Sequence, residues 1–336
     1  MARTLDDVAS LSGVSRATVS RVINGGPVAE RTRLHVLAVL EETNFRPNTA
    51  ARTLASGRSG VVGVVLHIDP HLLFGDRYFS QLLQGISDVL AERETGMMLW
   101  LGNRSKEETL DRILAMSLLD GVIVTAHSLQ DHLVDGLLAS GRPTVLVGHR
   151  RADRTASYVD IDNIVAADIV TSHLIASGRR RIGHVTGARG TFAAEDRITG
   201  YQHALRRAGL AIDELLADGD YTEAAGAAGS VKLLERGVDA IFCANDVAAR
   251  GALGVLHERG LRVPEDVALA GFDDLDFAAH LDPPLTTVRQ SIRQQGAEAA
   301  RSLLQLVEDP SGRPRRVILP TELVIRHSTV GGVPRA

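Results

Sequence analysis

Cysteine is almost absent from this chain of 336 residues. Cys243 stands alone, so no intrachain disulfide can form and a CxxC redox or zinc site is excluded. Long apolar runs are missing as well. Hydrophobic residues make up 44% of the chain, yet no run approaches the ~18 apolar residues of a spanning helix. No basic segment followed by an apolar one opens the sequence, and the expectation is a cytoplasmic protein with no membrane partner. Walker A and GxSxG motifs are absent, as is a GxGxxG after the first core strand, which removes the usual support for nucleotide, dinucleotide or nucleophile-elbow chemistry. The expectation is therefore no enzyme, no cofactor and no catalytic residue. Internal repeats and low-complexity tracts are lacking, and the closing VGGVPRA carries no heptad, so no terminal coiled coil is expected.

What is present falls into two grammars. The length predicts two or three compact units. Eight of the 37 basic residues but only five of the 41 acidic ones lie in residues 1–58, giving +3 there and −7 in the remainder. A basic head on an acidic body is the pattern of a nucleic-acid-binding appendage. Three helical patterns fill the head, Thr4 to Leu11, Ser15 to Asn24 and Glu30 to Thr43. The third has apolar residues at Leu34, Leu37, Ala38, Val39 and Leu40, and Asn44 as a left-handed stop. After the SGRSG linker, Ser56 to Gly60, short β-branched runs alternate with longer helices. Strand candidates are 61–68, 97–101, 121–126, 144–149, 181–187, 239–245 and 267–272; helices include 79–93, 165–177, 197–208 and 247–259. Such alternation predicts parallel sheets covered on both faces, and about 270 residues of it are best accommodated as two lobes.

The head stretch TLDDVASLSGVSRATVSRVIN, Thr4 to Asn24, is the most informative. Val8, Ala9, Val19, Val22 and Ile23 fall at helical spacings that turn apolar faces together. Gly13 supplies a tight turn and Val14 plugs the junction. Thr4 and Ser15 are natural N-caps, and Asp7 completes a capping box with Thr4. The opposite face of the second helix collects Arg16, Ala17, Ser20, Arg21 and Asn24, with no acid. A solvated helix face is the plain alternative. Turn, caps, core spacing and acid-free face together define a helix-turn-helix, in which arginine reads guanine and the Ser15 end meets phosphate.

This run, with TRLHVLAVLEETNFRPNTAARTLASGRSGVVGVV after it, resembles the LacI/GalR (lactose repressor) family of bacterial transcription regulators, and the resemblance continues to about Ile325. It implies an α/β protein with an N-terminal all-α helix-turn-helix domain and a periplasmic-binding-protein-like core of two Rossmann-like parallel-sheet lobes. The implied divisions are a DNA-binding domain at 1–46, a hinge helix and linker at 47–59, and an effector-binding and dimerisation core at 60–336. In that core lobe 1 takes about 60–160 and 290–319, and lobe 2 about 161–287 and 322–336. Arg16 and Ala17 take the family's specificity positions and Arg21 its base-reading arginine, with Ser20 and Asn24 in support. Leu54 matches the hinge leucine that wedges into the minor groove, and Ala51 faces the partner hinge. Ala29 departs from the family's serine cap on the third helix.

In the core the resemblance assigns effector contacts to Arg197, Asn245 and Asp273, with Tyr221 on one lobe and Tyr78 and Phe79 on the other. His67 at the cavity rim and His149 at a strand end complete the candidates. A guanidinium, an amide and a carboxylate suit a sugar. The implied partners are operator DNA, a small sugar-like effector and a second copy of the chain. The implied function is repression of carbohydrate uptake or catabolism genes, relieved by the sugar. A corepressor-type regulator answering a nucleobase or another metabolite stays open, as does a sugar-binding protein without regulatory role. His67-Ile68-Asp69-Pro70-His71 is a rim element rather than a metal site, because Pro70 breaks the strand geometry. Asp160, Asp162 and Asn163 precede a helix as caps or crossover hydrogen-bonders.

Overall fold

The computed structural model describes residues 4–23, 26–45, 58–66, 68, 73, 77–101, 105–116, 118–125, 128–129, 131–149, 155–210 and 215–330. It divides into two units, Met1–Gly60 and Val61–Ala336.

In the first unit Thr4, itself extended, caps the first helix. Its hydroxyl accepts from Asp7 N–H at 3.3 Å, and the Asp7 carboxylate accepts from Thr4 N–H at 2.7 Å, satisfying two orphan donors of α1, Leu5–Ser12. Gly13, at φ +62°, ends that helix. Ser15 then accepts from Thr18 N–H at 3.2 Å to start α2, Arg16–Ile23. The third helix, α3, Glu30–Glu42, begins at Ala29 without a side-chain cap and ends at Asn44, φ +50°. Val8, Ala9, Val19, Val22, Val36 and Val39 form the core of this unit, with Val14, Ile23, Leu40 and Phe45 packed on it. Val39 and Leu40 take core positions as read in the sequence, whereas the rest of the expected apolar face of α3 does not. Leu34 and Leu37 are 60% and 46% exposed, and Ala38 is exposed. The reason is geometric: α1 and α2 meet α3 along Val36 and Val39, an i,i+3 pair, and residues two positions before each lie on the opposite side of a 3.6-residue turn.

The second unit holds two six-stranded sheets. Its elements run β1 Val61–Leu66, α4 Arg77–Glu92, β2 Gly96–Leu101, α5 Lys106–Ala115, β3 Gly121–Thr125, α6 His132–Ala139, β4 Thr144–Val147, β5 Ser157–Ile161 and α7 Asn163–Ala176. They continue with β6 Ile182–Ala188, α8 Phe192–Arg207, β7 Leu216–Gly219, α9 Glu223–Glu235, β8 Ala240–Cys243, α10 Asp246–Glu258 and β9 Ala268–Asp273. A 3-10 turn at Asp276–His280 leads to β10 Thr286–Gln290, α11 Ile292–Glu308, β11 Arg316–Leu319 and β12 Thr321–Val324. Strand order is β11-β5-β4-β3-β1-β2 in the first sheet and β12-β10-β9-β8-β6-β7 in the second. All pairings are parallel except β10 with β12. Central strands such as β3, β4 and β9 are buried along their whole length, as strands covered by helices on both faces must be.

The chain passes between the sheets three times: from β5 into α7, from β10 into α11, and across Pro320 between β11 and β12. Close helix approach fixes the first lobe. A Cβ on Gly85 of α4 would lie 1.9 Å from the Arg293 carbonyl oxygen, and one on Gly296 of α11 would lie 2.1 Å from that of Leu82. Only glycine permits that crossing. The predicted strands all form, with ends that differ from those expected by up to two residues. β7, LADG, has no β-branched residue and gives no strand signal of its own.

Candidate functional site

Two surfaces carry recognisable chemistry, one in each unit. On α2, Arg16, Ala17 and Arg21 are exposed and Ser20 is half-buried, while Val19 and Val22 are buried on the other side. The helix is amphipathic, so core packing and the polar face are one constraint. The face carries no acid of its own, but Asp6 of α1 places a carboxylate oxygen 3.4 Å from Arg16 Nη1. Both side chains are 67% exposed, and such a surface pair contributes little, so the guanidinium can exchange it for a base or phosphate. Thr4 spends its hydroxyl and N–H on the capping box. Asn24, Ala51 and Leu54 lie outside the described residues, as does His67.

In the second unit a cavity of about 390 Å³ opens at the carboxyl ends of both sheets, where open α/β sheets place ligands. Tyr78, Phe79, Arg197, Tyr221, Asn245 and Asp273 all line it. Arg197, on α8, is 5% exposed. Its Nε donates to Asn163 Oδ1 at 3.0 Å, its Nη1 donates to the Ala244 carbonyl, and its guanidinium lies 3.6 Å from the Phe272 ring centroid. Those three contacts fix the plane of the charge. Asn245 caps α10 by accepting from Ala248 N–H at 2.9 Å and donates from Nδ2 to the Tyr221 carbonyl at 3.1 Å. It thereby anchors Tyr221, whose ring occupies the space a side chain at Gly187 would need: a Cβ there would lie 2.1 Å from Tyr221 Cζ.

Asp273 closes β9 and accepts from Gln290 Nε2, and Gln290 Oε1 accepts in turn from Gln295 Nε2 at 2.7 Å. This amide chain runs from β9 through β10 to α11. Asp246 lies deeper, accepting from Thr287 Oγ1 at 2.6 Å and Leu275 N–H at 2.7 Å. Burial, and then the neighbouring Asp273, hold its carboxyl well above the usual carboxylate range. On the first lobe the Tyr78 and Phe79 rings stand perpendicular, at 87°, with centroids 5.2 Å apart. Burial first, then Asp273 and Asp160, push the Tyr78 phenol upward. Backbone strain concentrates in the same place: Tyr221 (φ +72°), Asp273 (φ +113°) and Asp274 (φ +56°) hold conformations that L-residues seldom adopt.

His149 is placed differently from the other effector candidates. It is not among the residues that line the cavity. Its Nδ1 lies 2.6 Å from Asp160 Oδ2 and its Nε2 3.3 Å from Asp196 Oδ2, so the ring bridges β5 of one lobe and α8 of the other. A strand-end position could not reveal that both ring nitrogens face carboxylates. Asn163, Gln290 and Gln295 line the cavity and were not read as site residues. Their signal lay in the lobe crossovers, where the chain must run beside any cleft between the sheets.

Comparison with known proteins follows this division. Residues 4–48 match the model for bacterial regulatory proteins of the lacI family, and residues 171–329 match the periplasmic binding protein-like domain. The HTH-type transcriptional regulator CelR of Thermobifida fusca is 39% identical over 332 residues, covering 97% of this chain and 98% of CelR. The HTH-type transcriptional regulator GalR of Escherichia coli (strain K12) is 35% identical, covering 97% of this chain and 95% of GalR. Among solved structures, a CelR–cellobiose complex superposes with a TM-score of 0.77 at 37% identity, covering 97% of this chain and 99% of that one. A lac repressor dimer bound to operator and the anti-inducer ONPF superposes at 0.86 with 27% identity, covering 98% of this chain and all of that one. The chain belongs to the LacI family of DNA-binding transcriptional regulators.

Proposed function

We propose that this regulator is a repressor of carbohydrate uptake or catabolism genes, released from a pseudo-palindromic operator when a sugar enters the cavity between its two sheets. One observation carries the reading. Arg197, Asn245, Asp273 and the rings of Tyr78, Phe79 and Tyr221 converge on a cavity of about 390 Å³. Fixed donors and acceptors suit vicinal hydroxyls, and the rings cover the apolar faces of a pyranose. The cellobiose complex of CelR supports the sugar class.

The protein works in this reading as a homodimer, as the lac repressor dimer on its operator does. Two heads, residues 1–46, place α2 in adjacent major grooves, with Arg16, Ala17, Ser20, Arg21 and Asn24 toward the bases and Thr4 and Ser15 at phosphate. Hinge residues 47–59 put Leu54 into the minor groove with Ala51 against the partner hinge. The core, from residue 60 onward, binds effector, and the sugar lowers operator affinity by its differential affinity for two arrangements of the lobes. His149 contributes by holding Asp160 and Asp196 rather than by touching the sugar. Isothermal calorimetry with cellobiose, gentiobiose and galactose tests the site. Saturable binding lost in Arg197→Ala is expected, and silence toward every sugar contradicts the reading.

A further inference from the structure

We infer that the cleft accepts an unphosphorylated sugar and excludes its phosphate ester; this deepens the sugar reading above and rests on it. Among the described residues three carboxylates, Asp160, Asp220 and Asp273, line the cavity against one guanidinium, that of Arg197. Asp160 and Asp273 are 6% and 5% exposed, so bulk solvent screens them poorly. Asp160 does have a possible counter-charge in His149, but the same ring also faces Asp196. One imidazolium between two carboxylates still leaves that trio negative.

The charges inside the cavity act unevenly on its two tyrosines. At Tyr78 the proton is held by burial and then by Asp273 and Asp160, each outweighing the opposing pull of Arg197. At Tyr221 burial again raises the phenol, but Arg197 outweighs Asp273. An anion would thus be repelled on the Tyr78 side and drawn only toward Arg197. There the guanidinium sits over the Phe272 ring with Nε and Nη1 already donating to Asn163 and Ala244.

Phosphate is commonly held by backbone N–H groups at helix N-termini, and helices do start around this cavity. Four of those starts use a side chain of their own to accept the N3 N–H. Asp162 caps α7, Thr191 caps α8, Thr222 caps α9 and Asn245 caps α10. Two of these caps, Thr191 and Asn245, themselves line the cavity. At these four helices the site offers side-chain acceptors that match hydroxyls rather than a fully open row of N–H groups for an anion. The effector is then supplied by an uptake reaction that leaves the sugar unesterified, and phosphorylation of that sugar removes the signal.

Calorimetric titration of the full-length chain with cellobiose, glucose and galactose, each beside its 6-phosphate and its 6-O-methyl ether, tests this. The expected result is that at least one parent sugar binds, its methyl ether is retained, and its phosphate binds at least ~100-fold more weakly. A phosphate ester that binds as tightly as its parent, or more tightly, overturns the inference and leaves the sugar reading standing. Loss of the methyl ether together with the phosphate also overturns it, because exclusion would then be steric. Silence of every parent sugar and every phosphate overturns the sugar reading and this inference with it.

Discussion

The head and the core put their chemistry in opposite places. In the head, a few valines bury one side of an eight-residue helix so that Arg16, Ala17 and Arg21 stand exposed on the other. In the core, polar and ionisable groups are themselves buried: Arg197, Asn245, Asp246 and Asp273 are all at most 5% exposed. A duplex is a large partner that comes to a surface, whereas a small hydroxylated ligand has to be enclosed to be discriminated. The cost also differs. The head is assembled from helix caps and small apolar contacts, while the core holds Tyr221, Asp273 and Asp274 at positive φ and keeps an Asp246 carboxyl against its solvation preference.

Replacing Arg197 should break the comparison most sharply. Arg197→Ala leaves Asn163 Oδ1 and the Ala244 carbonyl without their donor inside the core, so sugar affinity should fall at least ~100-fold while operator binding without sugar persists. Parallel calorimetry and operator titration measure both; loss of both would assign Arg197 to folding instead.

The next effect is confined to the core. His184 is fully buried against Phe242, and burial pulls its imidazole down to about 4 from an ordinary 6.5. The folded core favours the neutral ring, so the contribution is complete above pH 6.5 and drains away as pH falls toward 4. It amounts to about 3 kcal/mol. Denaturant unfolding of the core transition from pH 7.5 to 4.5 should show this loss, and His184→Phe should flatten it; an unchanged slope in the variant would place the titration elsewhere.

Arg21→Ala sharpens the head. It should cost about 1 to 3 kcal/mol of operator affinity and relax choice at one base pair. Binding to a panel of single-base operator variants distinguishes this from a phosphate contact, which would lower affinity evenly. The smallest effect lies at the start of α3, where Ala29 leaves the helix without a side-chain cap. Ala29→Ser should stabilise the head by about 1 kcal/mol, read as a higher thermal midpoint of its transition with no change in sugar affinity.

The same contrast explains what the sequence could reveal. The head is local: Thr4, Asp7, Gly13 and Ser15 interact within three or four residues, so caps, turn and core spacing are all readable along the chain. Even there, the α3 face was displaced, because two neighbouring helices rather than side-chain size select Val36 and Val39 over Leu34 and Leu37. The parallel sheets were readable from buried β-branched runs such as 61–66 and 121–125, whereas the edge strand LADG was not. In the cleft, strand ends pointed to Asn245 and Asp273, and family resemblance to Arg197. The Asp273–Gln290–Gln295 chain joins residues whose meeting depends on three-dimensional crossovers. His149 could be assigned to a strand end but not to the Asp160 and Asp196 carboxylates, which lie 11 and 47 residues further along the chain.

The most direct measurement is fluorescence anisotropy of the full-length chain on DNA from its own upstream region, with and without cellobiose and related free sugars. The account predicts tight binding that at least one free sugar weakens tenfold or more in wild type and leaves unchanged in Arg197→Ala. Operator affinity that no sugar lowers, or the same sugar response in both proteins, would contradict it.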